Sequence, residues 1–351
     1  MSWLQFDQYG VWINVALFLV AAVLVWGAGT RLTGYLDVIT DRTGMDKAFA
    51  GMLFLGGATS LPEIAAISTA AATANAPLAT NNLLGSVAIN VMLIAVADAA
   101  LGRDALTSVV PSSTTILQGT MGMIMLALLA GAILVGDVQL IGTGLWSLVL
   151  AGLCVGAFWL ASRYADRSPW RADRRADAHR NGQTKATGSA SQQGMWVLAG
   201  KTTGAACMVL IAGFVLSQSA DSLSKATGIG AGLMGLVVVG FATSLPELSS
   251  VTEAVRRHQY EMALGDVFGT NLLTISLILL VDVIYPGGPI LAQAGKFEAV
   301  AALLGAVLTG LFVVGLLERR NRTILRMGYD ALAALVVFTG GLVLLYTIQS
   351  G

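Results

Sequence analysis

The sequence predicts an all-α integral membrane protein with ten transmembrane helices arranged as two inverted five-helix repeats. Three observations carry that expectation: a composition too apolar for a water-soluble fold, ten long apolar runs, and an internal duplication. Of the 351 residues, 56% are hydrophobic and only 11% charged, against about 25% charged in ordinary soluble domains. Such a chain does not read as a soluble multidomain enzyme. Lys+Arg and Asp+Glu balance at 20 each, so no net field attracts nucleic acid, and no basic stripe interleaved with aromatics appears. Nucleic acid is excluded as a partner, the lipid bilayer is expected as the surroundings, and no obligatory protein partner is evident. Cys154 and Cys207 each sit inside an apolar run, where neither a disulfide framework nor a paired-thiol metal site has support. Met1 to Gly10 carries no Lys or Arg, so the first apolar run is expected to be kept as a span and not cleaved as a signal.

A helix crossing the hydrocarbon core needs about 20 mostly apolar residues. Runs of that kind lie at 11 to 30, 47 to 73, 79 to 101, 114 to 135, 138 to 162, 196 to 218, 228 to 255, 262 to 281, 297 to 317 and 328 to 348. The polar stretch Arg163 to Gly194 is rich in Arg, Asp, Ser, Thr and Gly without a sustained apolar period, which reads as a hydrophilic linker. It separates a first half, 1 to 162, from a second, 195 to 351, with five spans in each. Placing the Arg-rich linker in the cytoplasm puts every Lys and Arg on that side except Lys201, Lys225 and Lys296. By the positive-inside rule both termini then face away from the cytoplasm. The expected location is a cell membrane, plasma or bacterial inner.

The duplication appears when residues 51 to 98 are laid over 235 to 282 without a gap, an offset of 184. Gly56 meets Gly240, Ala58-Thr59-Ser60-Leu61-Pro62-Glu63 meets Ala242-Thr243-Ser244-Leu245-Pro246-Glu247, Gly85 meets Gly269 and Asp98 meets Asp282. The copies begin five spans apart, an odd number, so the second enters the bilayer in the opposite direction. Inverted repeats of this kind place a substrate site near the midplane between the copies.

An ionisable side chain at membrane depth costs several kcal/mol unless paired or hydrated, which makes Glu63 and Glu247 functional candidates. Thr59, Ser60 and Glu63 share one helix face, as do Thr243, Ser244 and Glu247. Pro62 and Pro246 cannot donate to the carbonyls four residues back, and Gly56, Gly57 and Gly240 loosen the same turns. Freed carbonyls, hydroxyls and carboxylates make an all-oxygen set, suited to hard cations such as Ca²⁺ or Na⁺. The third span adds Asn82, Ser86 and Asn90 on one stripe, and the eighth adds Asp266, Thr270 and Thr274. Ser86 and Thr270 each lie 23 residues after their Glu. Asp98 and Asp282 read as solvated ends or polar anchors more than as ligands, Lys201 as a snorkelling side chain, and His179 and His258 as solvated loop residues. A Gly-x-x-x-x-Gly-Lys phosphate loop is absent, so ATP is not expected to drive the protein.

At these residues the chain resembles the calcium/cation antiporter superfamily, and most closely its sodium/calcium exchanger branch. The resemblance rests on the twofold Gly-x-x-Thr-Ser-x-Pro-Glu, each followed by Gly85-Ser86 or Gly269-Thr270, and on the five-plus-five layout. It implies a secondary active antiporter, not an enzyme, with no resident cofactor: Ca²⁺ and a monovalent counter-ion, Na⁺ or H⁺, are transported ions. It further implies that Glu63 and Glu247 are the central Ca²⁺ ligands, joined by Thr59, Ser60, Thr243 and Ser244, by carbonyls at Gly56 and Gly240, and by Ser86, Asn90, Thr270 and Thr274 of the second helices. Asp266 is a further candidate. The sodium-coupled branch commonly carries Asp where this chain has Thr274, so the core holds two negative charges and exchange is expected to be nearly electroneutral unless Asp266 contributes. The match to Thr-Ser-x-Pro-Glu favours Na⁺. The alternatives are H⁺, because burial favours the neutral form of a carboxyl group, and a cation channel, which would also place carboxylates at depth.

Overall fold

The structure, a computed structural model, describes residues 6–43, 56–101, 106–109, 113–140, 142–165, 194–256, 260–318, 323–324 and 327–350. The start of the second span, Arg103, His179, His258 and the linker from 166 to 193 lie outside the described residues. Among those described, the helices are α1 (Val11–Thr43), α2 (Gly56–Thr59), α3 (Leu61–Ala72), α4 (Ala76–Leu101), α5 (Ser113–Val135), α6 (Leu145–Ala165), α7 (Met195–Thr227), α8 (Ala231–Thr243), α9 (Leu245–Arg256), α10 (Tyr260–Ser276), α11 (Ile278–Ile284), α12 (Lys296–Glu318) and α13 (Tyr329–Ser350). Among the described residues, eight spans are long and apolar enough to cross a membrane, counting α10 and α11 as one. A ninth is the α8–α9 pair, bent by 44°. The first copy's pair, α2 and α3, is described from Gly56 onward.

Three boundaries differ from the sequence expectation, each for a physical reason. Both α1 and α7 run for 33 residues, well past the expected ends at 30 and 218. In α7 the polar extension keeps its helix because Ser217, Ser219, Ser222 and Ser224 are buried against protein; a polar composition there marks an interior face and not a loop. The segment expected to begin a helix at 138 instead forms a hairpin of β1 (Gln139–Leu140) and β2 (Thr143–Gly144), turned by Gly142 in the left-handed region at φ +87°. The run 262 to 281 is interrupted at Leu277, whose N–H is shared between the carbonyls of Leu273 and Thr274.

Helix α4 is the centre of the bundle. Of its apolar window 89% is buried, against 17% for α13, and it packs against α3, α8, α9, α10, α12 and α13. The long helices α1 and α7 lie along each other, and each also touches the other copy's half-helix: α1 packs on α9, and α7 packs on α3.

Two buried aspartates tie the halves together in a reciprocal way. Asp98, at the end of α4, accepts from Leu106 N at 2.6 Å and from Gly328 N at 2.5 Å, the latter in the hairpin of β3 (Thr323–Ile324) and β4 (Met327–Gly328). Asp282, in α11, accepts from Ile290 N at 2.6 Å and from Gly144 N at 2.5 Å in the first hairpin. Every member of one set is 184 residues from its counterpart, so the repeat extends through the hairpins. Both aspartates are buried, which makes them anchors and not solvated ends. Helix α5 leaves the Asp98 end and crosses to the hairpin held by Asp282. The two anchors therefore lie at opposite faces, and α4 and α10–α11 run in opposite directions. That is the inversion expected from counting spans.

Close approach between the copies depends on glycine. A Cβ built on Gly85 would lie 1.9 Å from the Leu236 carbonyl oxygen, and one on Gly240 would lie 3.0 Å from the backbone of Gly85 and Ser86. The repeat partner of Gly85, Gly269, has room, with Gln118 Nε2 nearest at 3.7 Å. Gly85→Ala is therefore expected to destabilise the protein by about 1–3 kcal/mol, and Gly269→Ala by less than about 0.5 kcal/mol. Thermal unfolding of the two variants in detergent checks this; equal midpoints would contradict the close approach.

Candidate cation site

The two broken helices turn at equivalent residues. Ser60, between α2 and α3, has φ −78° and ψ −4°, and Ser244, between α8 and α9, has φ −85° and ψ 6°. Both fall in the bridge region of backbone space. The prolines two residues later have no N–H for the carbonyls of Ala58 and Ala242, so the helix ladder is interrupted where the Thr-Ser pair stands. The second copy carries one further irregularity, a π-helical stretch over Met234–Val239, against which α4 packs at Gly85.

The copies meet side chain to side chain. Thr274 Oγ1, from α10, donates to Glu63 Oε2 at 2.8 Å. Ser86 of α4 and Thr243 of α8 share a hydrogen bond at 3.2 Å, and Thr243 also reaches Asn82 Oδ1 at 3.4 Å. Asn90 Nδ2 donates to Asn271 Oδ1 at 3.2 Å, and Asn271 Nδ2 donates to the Val87 carbonyl at 3.2 Å. Thr59 of the first copy lies beside Glu247 of the second. Each broken helix is thus completed by the second helix of the other copy.

The structure brings together ten of the eleven sequence-derived candidates at full burial: Thr59, Ser60, Glu63, Ser86, Asn90, Thr243, Ser244, Glu247, Thr270 and Thr274 are all at most 3% exposed. Six of these, Ser60, Glu63, Asn90, Ser244, Glu247 and Thr270, present at least one buried oxygen with no hydrogen-bond partner among the described residues, and Glu247 presents both of its carboxylate oxygens. An unpaired buried polar atom costs about 1–3 kcal/mol. Seven such oxygens fall on the two broken helices and on the second helices that cross them, where a cation would supply the missing partner. The donor set consists of hydroxyl, amide and carboxylate oxygens, which fits a hard cation taking several oxygen ligands. Glu63 and Glu247 are the two carboxylates among these ten buried candidates.

Asp266 stands apart. It is partly exposed, one turn from Thr270 toward the start of α10, and accepts from Ser250 Oγ at 2.8 Å. Ser250, one turn beyond Glu247, also donates to the Glu247 carbonyl at 3.1 Å. Sequence reasoning missed Ser250 and Asn271. Asn271 escapes a repeat comparison because its counterpart is Val87; the signal lay in Gly269-Thr270-Asn271, which keeps the polar triplet that the first copy loses.

Two inverted repeats with broken helices and a buried oxygen-lined centre define a multi-pass integral membrane protein of the ion-antiporter class. Comparison with known families is decisive: the sodium/calcium exchanger protein family matches residues 13–161 and again 197–348. The chain belongs to that family, and it is a transporter and not an enzyme. Among curated proteins it is 26% identical over 291 residues to the inner membrane protein YrbG of Escherichia coli (strain K12), covering 82% of this chain and 83% of that one. It is 25% identical over 307 residues to the putative antiporter CaxA of Alkalimonas amylolytica, covering 86% and 90%. Among solved structures, the H⁺/Ca²⁺ exchanger CAX aligns with a TM-score of 0.63 at 15% identity over 96% of this chain and 91% of that one. The sodium-calcium exchanger NCX_Mj, soaked with 100 mM Na⁺ and 10 mM Sr²⁺, aligns with 0.56 at 18% identity over 94% and 97%. At these identities the likeness is one of fold.

The Thr274–Glu63 contact supplies a direct check. Thr274→Ala removes a donor to a buried carboxylate and is expected to destabilise by about 1.5–3 kcal/mol, whereas Thr274→Ser keeps the hydroxyl and loses much less. Unfolding midpoints in buffer free of divalent cations should rank wild type, Ser and Ala in that order.

Proposed function

We propose that the protein exchanges Ca²⁺ for a monovalent cation by alternating access at the site between the two broken helices, with Na⁺ the favoured counter-ion. The observation that carries this reading is the set of unpaired buried oxygens contributed by both copies around Glu63 and Glu247. Ca²⁺ requires formal negative charge as well as oxygen ligands, and these two carboxylates provide it; Thr59, Ser60, Thr243, Ser244, Ser86, Asn90, Thr270 and Thr274 provide neutral oxygens. The hydroxyls suit Na⁺, which needs ligands but little charge. Proton coupling is the second reading, favoured by one specific feature: at Thr274 the site has a hydroxyl donor and no third carboxylate, so two protons neutralise the core as fully as one Ca²⁺.

Access is switched by α1 and α7. They pack on each other and reach across to the opposite copy's half-helix, while Asp98 and Asp282 hold the rest of the bundle through backbone N–H groups at both faces. Both termini face away from the cytoplasm in a cell membrane, and Asp266 opens toward the cytoplasmic side. A channel is disfavoured, because a site shared between inverted copies serves alternating access.

Flux in sealed proteoliposomes tests the reading. Ca²⁺ uptake should follow an imposed Na⁺ gradient, or a pH gradient under the second reading, and should stop in Glu63→Gln and Glu247→Gln at normal expression. Undiminished uptake by either variant overturns the site. With two fixed charges, exchange should change little when the membrane is clamped at different voltages; steep voltage dependence that persists in Asp266→Asn would refute the charge count.

A further inference from the structure

The repeat offset exposes an unequal pair of mouths. Asn82, one turn before Ser86 in α4, corresponds to Asp266, one turn before Thr270 in α10, and the inversion places them toward opposite faces. One mouth therefore carries a carboxylate of its own repeat, and the other an amide. Glu298 makes up the difference from a different helix. It stands in the first turn of α12 and is buried. Its Oε1 accepts from Asn81 Nδ2 at 2.7 Å and its Oε2 from Gly295 N at 2.7 Å. No Lys or Arg among the described residues forms an ion pair with it. A buried carboxylate with only neutral donors lacks the partner that best stabilises a charge.

The residue that holds Glu298 leads to the site. Asn81 is fully buried, and its amide oxygen has no hydrogen-bond partner among the described residues, although the nitrogen of the same amide is bound to Glu298 and to the Pro77 carbonyl. Asn82, next in the chain, reaches Thr243. A carboxylate and an unpaired amide oxygen thus sit side by side, one residue from a side chain that touches the site. As a helix cap alone, Glu298 would need only the Gly295 N–H. The cap explains neither its bond to a different helix nor the orphaned oxygen on Asn81.

We propose that Glu298 and Asn81 form a cation relay at the face where α4 and α12 begin, the counterpart of Asp266 and Ser250 at the opposite mouth. The relay takes a hard divalent cation such as Ca²⁺, attracting it electrostatically before it reaches Glu63 and Glu247. It rests on the antiport reading, since it needs a cation in transit. Glu298 acts at entry and not at the central site, so its charge governs the concentration dependence at one face.

The test uses the full chain in membrane vesicles prepared in both orientations, with Ca²⁺ flux measured as a function of Ca²⁺ added outside. Glu298→Gln keeps an acceptor for Gly295 N–H and removes the charge. The half-saturating Ca²⁺ at the α4-start face should rise about thirtyfold, the weight of one unit charge on a divalent ion at about 4 Å in a water-like medium, with little change at the other face. Glu298→Asp, which keeps the charge, should restore most of the difference even if the shorter side chain lowers the unfolding midpoint. Asp266→Asn should produce its shift at the opposite face. An equal rise at both faces, or none at either while wild-type flux persists, overturns the relay and leaves the antiport reading standing. Absence of gradient-driven flux in the wild type overturns both.

Discussion

The contact between α4 and the irregular helix α8 is the constraint on which the rest of the structure depends. At Gly85 the two backbones approach so closely that no side chain fits between them, and this brings Ser86 of one copy within 3.2 Å of Thr243 of the other. The same seating of one copy on the other accompanies the Glu63–Thr274 and Asn90–Asn271 contacts. Membrane helices gain little from apolar association, because lipid is as apolar as they are; small residues and polar contacts supply the adhesion instead. The centre of this bundle uses both. Its polar groups are therefore what joins the halves, and their imperfect pairing is what distinguishes the site from an ordinary packed interface.

The symmetry of the chain is followed closely at the periphery and in the two broken helices, and it is broken along the second helices, α4 and α10. Asp98 and Asp282 make the same pair of bonds, to N–H groups at the same offset, at opposite faces. Each such bond to a carboxylate contributes about 1.5–3 kcal/mol, and each set stitches one half to the hairpin of the other. Thr107 donates to Asp330 at 2.6 Å and adds another cross-half tie beside Asp98. Within the site the copies diverge: Asn90 stands opposite Thr274, Asn82 opposite Asp266, Val87 opposite Asn271. A scaffold can be twofold because both faces of a bilayer are mechanically alike. A transported ion meets different conditions at the two faces, and under the proposed exchange the divergence along α4 and α10 is where those conditions could be told apart.

Much of this was legible in the sequence, and the physical reasons differ from element to element. The broken helices could be read because proline leaves a defined carbonyl unsatisfied, and the inversion because five is an odd number of spans. The buried set from Thr59 to Thr274 followed from helical spacing. The hairpins escaped notice: a two-residue strand such as Gln139–Leu140 has no periodicity to detect, and Asp282 gives no sign of which backbone it will bind. The length of α7 was underestimated because Ser217 to Ser224 look like a loop until the partner helix that buries them is known. Glu298 was invisible for the same reason; its significance lies in Asn81, more than two hundred residues away. Local chemistry was readable, and pairing across the halves was not.

A site assembled from both copies also explains how occupancy can be coupled to conformation. A bound cation shifts a conformational equilibrium only by the difference in its affinity for the two states. If every ligand belonged to one rigid unit, that difference would be small, because any movement would carry the whole set along. Here Glu63 and Thr59 stand on the half-helices of one copy, while Ser86 and Asn90 and their counterparts complete the other copy's half-helix. The helix α7 presses on α3, just after Glu63, and α1 presses on α9, just after Glu247. Under the proposed exchange, displacing the α1–α7 pair would act on both carboxylates at once and in opposite senses, since the copies are inverted. Under the proposed exchange, the oxygens that favour a divalent ion in one arrangement need not do so in the other, while Asp98 and Asp282 tie the second helices to the hairpins at both faces.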